Sequence, residues 1–201
     1  MCRKEYIMSD TEYFELLNED GSLTGILKER GLVHRDGDLH GASHIWVTCR
    51  EGEKLWILLQ KRSEEKDSYP GCFDVSAAGH LDPGESFSDG ALRELGEELG
   101  LFVEPPQLIF FQQKKIDQLE CFHGTEFHNR ELISSFIFEM KEKKENFYFQ
   151  REEISEVLWI EAGELEKRLT DGSLKHCIDE KEYAHLCTLV LPKSVASFTA
   201  M

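Results

Sequence analysis

Residues 79–101 read GHLDPGESFSDGALRELGEELGL, and the decisive part follows Ala91: Arg93, then Glu94, Glu97 and Glu98. Once that stretch coils, the three carboxylates fall at i, i+3 and i+4 on one stripe, a spacing at which like charges repel. A hard divalent cation reverses the sign of the interaction, because Mg²⁺ and Mn²⁺ take oxygen ligands and favour ionised carboxylates. The opposite face carries Ala91, Leu92, Leu95 and Leu99, an apolar stripe suited to docking on a sheet. The stretch therefore predicts a helix over 86–99 with one packing face and one charged face. Taken alone, a cluster such as RELGEEL is more simply a solvated acidic face.

Composition narrows the setting. The 201-residue chain has the length of one ordinary domain, and 40% apolar with 31% charged residues is a globular composition. Its 23 basic against 39 acidic residues give a formal charge of −16, the wrong sign for a nucleic-acid surface. An acidic chain still binds an anionic phosphate compound where a metal ion and a few local Lys or Arg residues invert the field. No apolar run approaches the ~18–20 residues of a membrane span, and MCRKEYIMSD lacks the apolar region of a signal peptide. The six cysteines, at 2, 49, 72, 121, 177 and 187, show no CxxC spacing. They read as reduced thiols in a cytoplasmic protein. Met8 offers an alternative start.

Working outward from the acidic stretch, residues 14–27 form two short strands around an Asp20-Gly21 turn, a hairpin of about 13–28. A loop with Arg35, Asp36 and Gly37 follows. Strands are expected at 44–48 and 55–60, a polar loop over 61–71, and a short strand at 73–78 that leads into the acidic stretch. Two longer strands at 108–112 and 132–140 bracket a polar connection with Cys121, His123 and His128. A final strand at 157–160, a helix at 162–170 and another at 177–190 complete a C-terminal helical segment of about 162–190. A mixed sheet with helices on both sides is the natural packing of these elements, an α/β class.

Gly79, Glu85, Arg93, Glu94, Leu95, Glu97, Glu98, Gly100 and Leu101 fill the pattern G-x5-E-x7-R-E-U-x-E-E-x-G-U, U being a bulky aliphatic. That pattern is the Nudix box, and the chain resembles a Nudix hydrolase. The resemblance implies a single Nudix domain over 1–201, folded as an α/β/α sandwich around a mixed central sheet. It implies a pyrophosphohydrolase acting on a nucleoside diphosphate linked to another moiety, or on a related small diphosphate. Glu94, Glu97 and Glu98 with the Gly79 carbonyl would hold Mg²⁺ or Mn²⁺, which neutralises phosphate charge and lowers the pKa of bound water. Glu85 and Arg93 would orient them, the guanidinium by bidentate pairing. In several Nudix enzymes a glutamate before the last central strand is the general base, and Glu153 holds that place, with Glu152 next. Lys61 and Arg62 are candidate phosphate contacts. Homodimers occur among related enzymes.

VHRDGDLHGASHIWV and LLQKRSEEKDSYPGCFDVSAAGH are similar to the isopentenyl-diphosphate isomerase branch of the superfamily, and more so to its isomerase-like hydrolases. In the isomerases a metal is bound by histidines and glutamates at positions where this chain has His34, His40, His80 and Glu131, with Asn129 in place of a second glutamate. Such a set suits Mn²⁺, Mg²⁺ or Zn²⁺ where it converges. Isomerisation needs a thiol before the box glycine, and here that residue is Ala78. No Trp follows Trp159, and the hydrolytic box is intact. The balance favours hydrolysis over isomerisation or a non-catalytic ligand-binding module.

Overall fold

The computed structural model describes residues 11–122 and 124–191; Cys2, Met8 and His123 fall outside them. The stretch HGASHIWVTCRE, buried almost continuously from His40 to Cys49, becomes strand β3 (His40–Glu51), the organising strand of the sheet. One edge of β3 takes the short strand β6 (Ala77–His80) and then β4 (Lys54–Arg62), both antiparallel. Its other edge runs parallel to β8 (Thr125–Met140) from His40↔Glu131 to Cys49↔Met140. Beyond β8 lies its antiparallel partner β7 (Ile109–Phe122), and β9 (Ile154–Glu161) pairs with β4. Strands β1 (Tyr13–Leu17) and β2 (Leu23–Glu29) form the N-terminal hairpin, joined to β3 at Leu16↔His40, and β5 (Phe73–Asp74) caps β4.

Strand alternation sends successive side chains to opposite faces, and each face meets its own helices. Trp46, Ile57 and Leu59 pack with α3 (Ala162–Asp171) and α4 (Glu180–Val190). Ile45, Val47 and Leu58 pack with Ala91, Leu95 and Leu99 of α2 (Phe87–Leu99). The layers are helix, mixed sheet, helix, as the spacing of the elements requires.

Three expected segments differ. The loop around Arg35 and Asp36 is the end of a short helix, α1 (Arg30–Asp36), closed by Gly37, whose N–H bonds the Val33 carbonyl. Two turns with only Val33 and His34 buried leave no periodic stripe to read. The polar connection over 113–130 is mostly strand: β7 and β8 run on as a long hairpin turning at Gly124. Its two faces are largely wet, so its apolar alternation is weak. The expected strand at 73–78 is two pieces, β5 and β6, pairing with different partners.

Candidate active site

Helix α2 is built as its sequence dictates. Ser86 caps its N-terminus by accepting from the Asp89 N–H, and Gly100 ends it in the left-handed region at φ 62°. Ala91, Leu95 and Leu99 of its apolar stripe are fully buried and Leu92 partly so, and the flanking carboxylates are drawn down with them: Glu94 and Glu98 are buried while the Glu97 side chain is 54% exposed. Arg93 holds the group together. Its Nε and Nη2 donate to the two oxygens of Glu85, each at 3.0 Å, and Nη1 donates to Glu94 at 2.7 Å and Glu97 at 3.0 Å. Nη2 also donates to the His80 carbonyl at 2.8 Å, tying the helix to β6. Four acceptor groups around one guanidinium is a rigid frame.

Glu98 accepts from the Ala78 N–H at 2.9 Å and from Gln60 Nε2 at 3.1 Å. Burial, and then the Glu94 charge, push its carboxyl up to about 8. Burial likewise raises Glu94, against the pull of Arg93. A Cβ at Gly79 would stand 1.9 Å from a Glu94 oxygen, so a side chain there would displace that carboxylate. Buried carboxylates that ionise only at a cost, packed against a bare glycine backbone, suit a hard cation.

Beside them lies a second cluster. His34 from α1, His40 from β3 and His80 from β6 offer ring nitrogens all within 4.8 Å of one another. The His80 Nε2 lies 3.1 Å and the His40 Nε2 3.7 Å from Glu131 Oε1. The His40 Nδ1 is 2.9 Å from the Asp38 carbonyl, which places a proton on Nδ1 and leaves Nε2 as the ring atom facing the cluster. Phe14 stacks on His40 at 5.0 Å and Phe127 on His34 at 4.1 Å, closing the cluster with apolar rings. The Nε2 atoms of His34 and His40 and Oδ1 of Asn129 are buried without a hydrogen-bond partner. Burial pushes His34 down to about 3 and also lowers His80. Both rings are therefore neutral at pH 7, the form that ligates metals.

The carboxylates of α2 and, from the second cluster, His80 and Glu131 line one cavity of about 620 Å³, which Arg30, Arg62, Lys66 and Glu153 also line; His34 and His40 lie behind that wall. Arg62 is locked by the Ser68 carbonyl at 3.1 Å and by Asp74 at 3.4 Å. Lys66 pairs with Glu153. Lys61 points to the other face of β4, where its Nζ stands 6.0 Å from the Phe73 ring centre.

The family model of the NUDIX domain matches residues 38–179. The chain belongs to the Nudix family. An uncharacterised Nudix hydrolase of Clostridium acetobutylicum is 39% identical over 160 residues, covering 80% of this chain and 75% of that protein. The isopentenyl-diphosphate isomerase of Escherichia coli is 34% identical over 100 residues, covering 50% of this chain and 53% of the isomerase. A crystal structure from Deinococcus radiodurans has the same fold, with TM-score 0.58 at 20% identity over 82% of this chain and 92% of that one. As a Nudix hydrolase the protein acts on phosphoric anhydrides, a chemistry for which the family generally uses divalent metals.

Within this Nudix fold the box residues Gly79, Glu85, Arg93, Glu94, Glu97 and Glu98 come together, as do His34, His40, His80 and Glu131. Sequence reading missed Lys66, Arg30 and His44 on the cavity wall, and Glu182 behind it. His44 had a signal, since it shares a face of β3 with Ala42. Lys66 sits in a polar loop where nothing marks one lysine from another.

Proposed function

We propose that the protein is a divalent-cation-dependent pyrophosphohydrolase for nucleoside diphosphates linked to another moiety, or for related small diphosphates. The observation that carries this reading is the Arg93 frame, which holds Glu94 and Glu97 beside buried Glu98 on the wall of a cavity with a basic rim. Glu94, Glu97, Glu98 and the Gly79 carbonyl would hold Mg²⁺ or Mn²⁺. Bound there, the ion supplies Lewis acidity toward phosphate oxygens and an acidified water. Arg93 orients the ligands, and Glu85 orients Arg93 through both its oxygens. Arg62 and Lys66 face the phosphate groups across the cavity. Glu153, half-exposed on the rim and paired with Lys66, would accept the proton of the attacking water as general base.

The His34, His40, His80 and Glu131 cluster would hold a second divalent ion, since its orphaned buried lone pairs fit one. Ala78, whose N–H bonds Glu98, offers no thiol for isomerisation. The test is phosphate-coupled turnover on nucleoside diphosphate sugars, dinucleoside polyphosphates, ADP-ribose, NADH and coenzyme A, with Mg²⁺ or Mn²⁺. Isopentenyl diphosphate is scored for allylic product alongside. Metal-dependent hydrolysis of one class supports the reading; allylic product without hydrolysis refutes it.

A further inference from the structure

The wall of the cavity away from α2 carries a charge network that the box does not use. His44 pairs across β3 with Ala78 of β6, one register step from Ser43↔Gly79. Its Nδ1 lies 3.0 Å from Glu182 Oε2, and Glu182, on α4, is 1% exposed. The same carboxylate accepts from Trp46 Nε1 at 2.8 Å and from Lys114 Nζ at 2.8 Å. Lys114 in turn pairs with Asp179, the residue that caps α4.

Three donors occupy most of the roughly four acceptor sites of the Glu182 carboxylate, so it has little capacity left for a ligand. Its effect falls on the imidazole. A carboxylate only accepts, so the His44 proton sits on Nδ1 and Nε2 becomes the free atom of the ring. Nε2 has no hydrogen-bond partner among the described residues, and His44 lines the cavity. Burial would lower His44, but Glu182, helped by Asp74 of β5 and opposed by Lys114 of β7, raises it. Burial would raise Glu182, and His44 and Lys114 instead hold it far below the ordinary carboxylate range. The buried Glu182 carboxylate at 3.0 Å favours the charged ring over the pull of burial and Lys114, and in that form Nε2–H is a donor. Trp46 and Lys114 alone would anchor α4 to the sheet. A histidine with one ring nitrogen engaged by a buried carboxylate and the other facing the cavity does something more.

Adjacent strands lie ~4.8 Å apart and residues along a strand ~3.3 Å. A group held at Gly79 and a group at His44 are thus within the span of one diphosphate. We propose that His44, oriented by Glu182, is a specificity residue whose Nε2–H donates to a non-bridging oxygen of the phosphoryl group farther from the carboxylate helix. Glu182 is the positioning residue behind it. The inference rests on the diphosphate reading above.

The experiment uses the full chain with ¹⁵N-labelled histidine and Mg²⁺, titrated with imidodiphosphate, a diphosphate that resists hydrolysis. Calorimetry measures the affinity, and His44→Gln assigns the His44 ring signals. At saturation the His44 Nε2 signal should move. His44→Ala should weaken binding roughly tenfold or more, as expected on losing a charge-assisted hydrogen bond. His44→Gln, whose amide nitrogen comes near the Nε2 position, should recover most of the loss. Tight binding with an unmoved His44 signal, or undiminished affinity in His44→Ala, overturns the inference alone. No binding of imidodiphosphate by the wild-type protein refutes the diphosphate reading and takes this inference with it.

Discussion

Glu98→Gln in the metal-free protein should flatten the dependence of stability on pH. The Glu98 carboxyl is 7% exposed and is pushed from an ordinary 4.5 up to about 8, by burial first and by Glu94 second. The folded chain therefore holds this proton more tightly than the unfolded chain does. The stability that follows is fully present below about 4.5 and is lost as pH rises toward 8. The slope is about 1.4 kcal/mol per pH unit, or about 3 kcal/mol between pH 5 and 7.5. For a domain of this size that is roughly 6–12 °C in Tm.

Glutamine keeps an oxygen for the Ala78 N–H and the Gln60 amide and does not titrate, so this component disappears in the variant. Saturating Mg²⁺ should restore the wild-type protein at pH 7.5, since a ligand that binds only the folded state stabilises it. Thermal melts in EDTA from pH 5 to 8 read the difference directly. Parallel curves for the two proteins would refute the reasoning, because they would mean that Glu98 is ionised in the folded chain without metal.

Four further outcomes follow from the same geometry. Glu97→Gln should keep its circular dichroism, because Glu97 is largely exposed and bonded only to Arg93; its kcat should fall by roughly 10²–10³ through loss of a ligand at the reacting phosphate. Glu153→Gln should lower kcat roughly 10²–10⁴-fold with KM little changed, the pattern of a lost general base. His80→Asn should lower bound Mn²⁺ by one ion per chain after dialysis, read by elemental analysis, while the box retains its own. Leu95→Ala, which empties a fully buried position between α2 and the sheet, should cost about 2–5 kcal/mol in urea unfolding with an unchanged m-value.

Much of the site was readable because its parts are close in sequence. The box spans 79–101, and helical periodicity alone places Glu94 and Glu98 on one stripe, with Arg93 reaching Glu97 at i+4. The histidine cluster was readable only through resemblance: His80 and Glu131 lie far along the chain from His34 and His40, and only the pairing of β3 with β6 and with β8 brings them to His40. Helix α1, which presents His34, escaped notice because two turns carry too few apolar residues to show a period. The β7–β8 hairpin escaped because both its faces are partly wet, so strand alternation is diluted by Lys114, Lys115, Asp117 and Gln118. The pairing of His44 with Glu182 bridges 138 residues. Neither residue type is unusual where it stands, and only the packing of α4 on the sheet makes them a unit.

In the proposed reaction water attacks a phosphorus atom under the control of this box. The direct test is to run the best diphosphate substrate in H₂¹⁸O with Mg²⁺ and weigh the phosphorylated products. The account predicts one ¹⁸O in one of the two phosphate products, with formation of both products suppressed in Glu97→Gln. Label-free products, or labelled products formed equally well by Glu97→Gln, would contradict it.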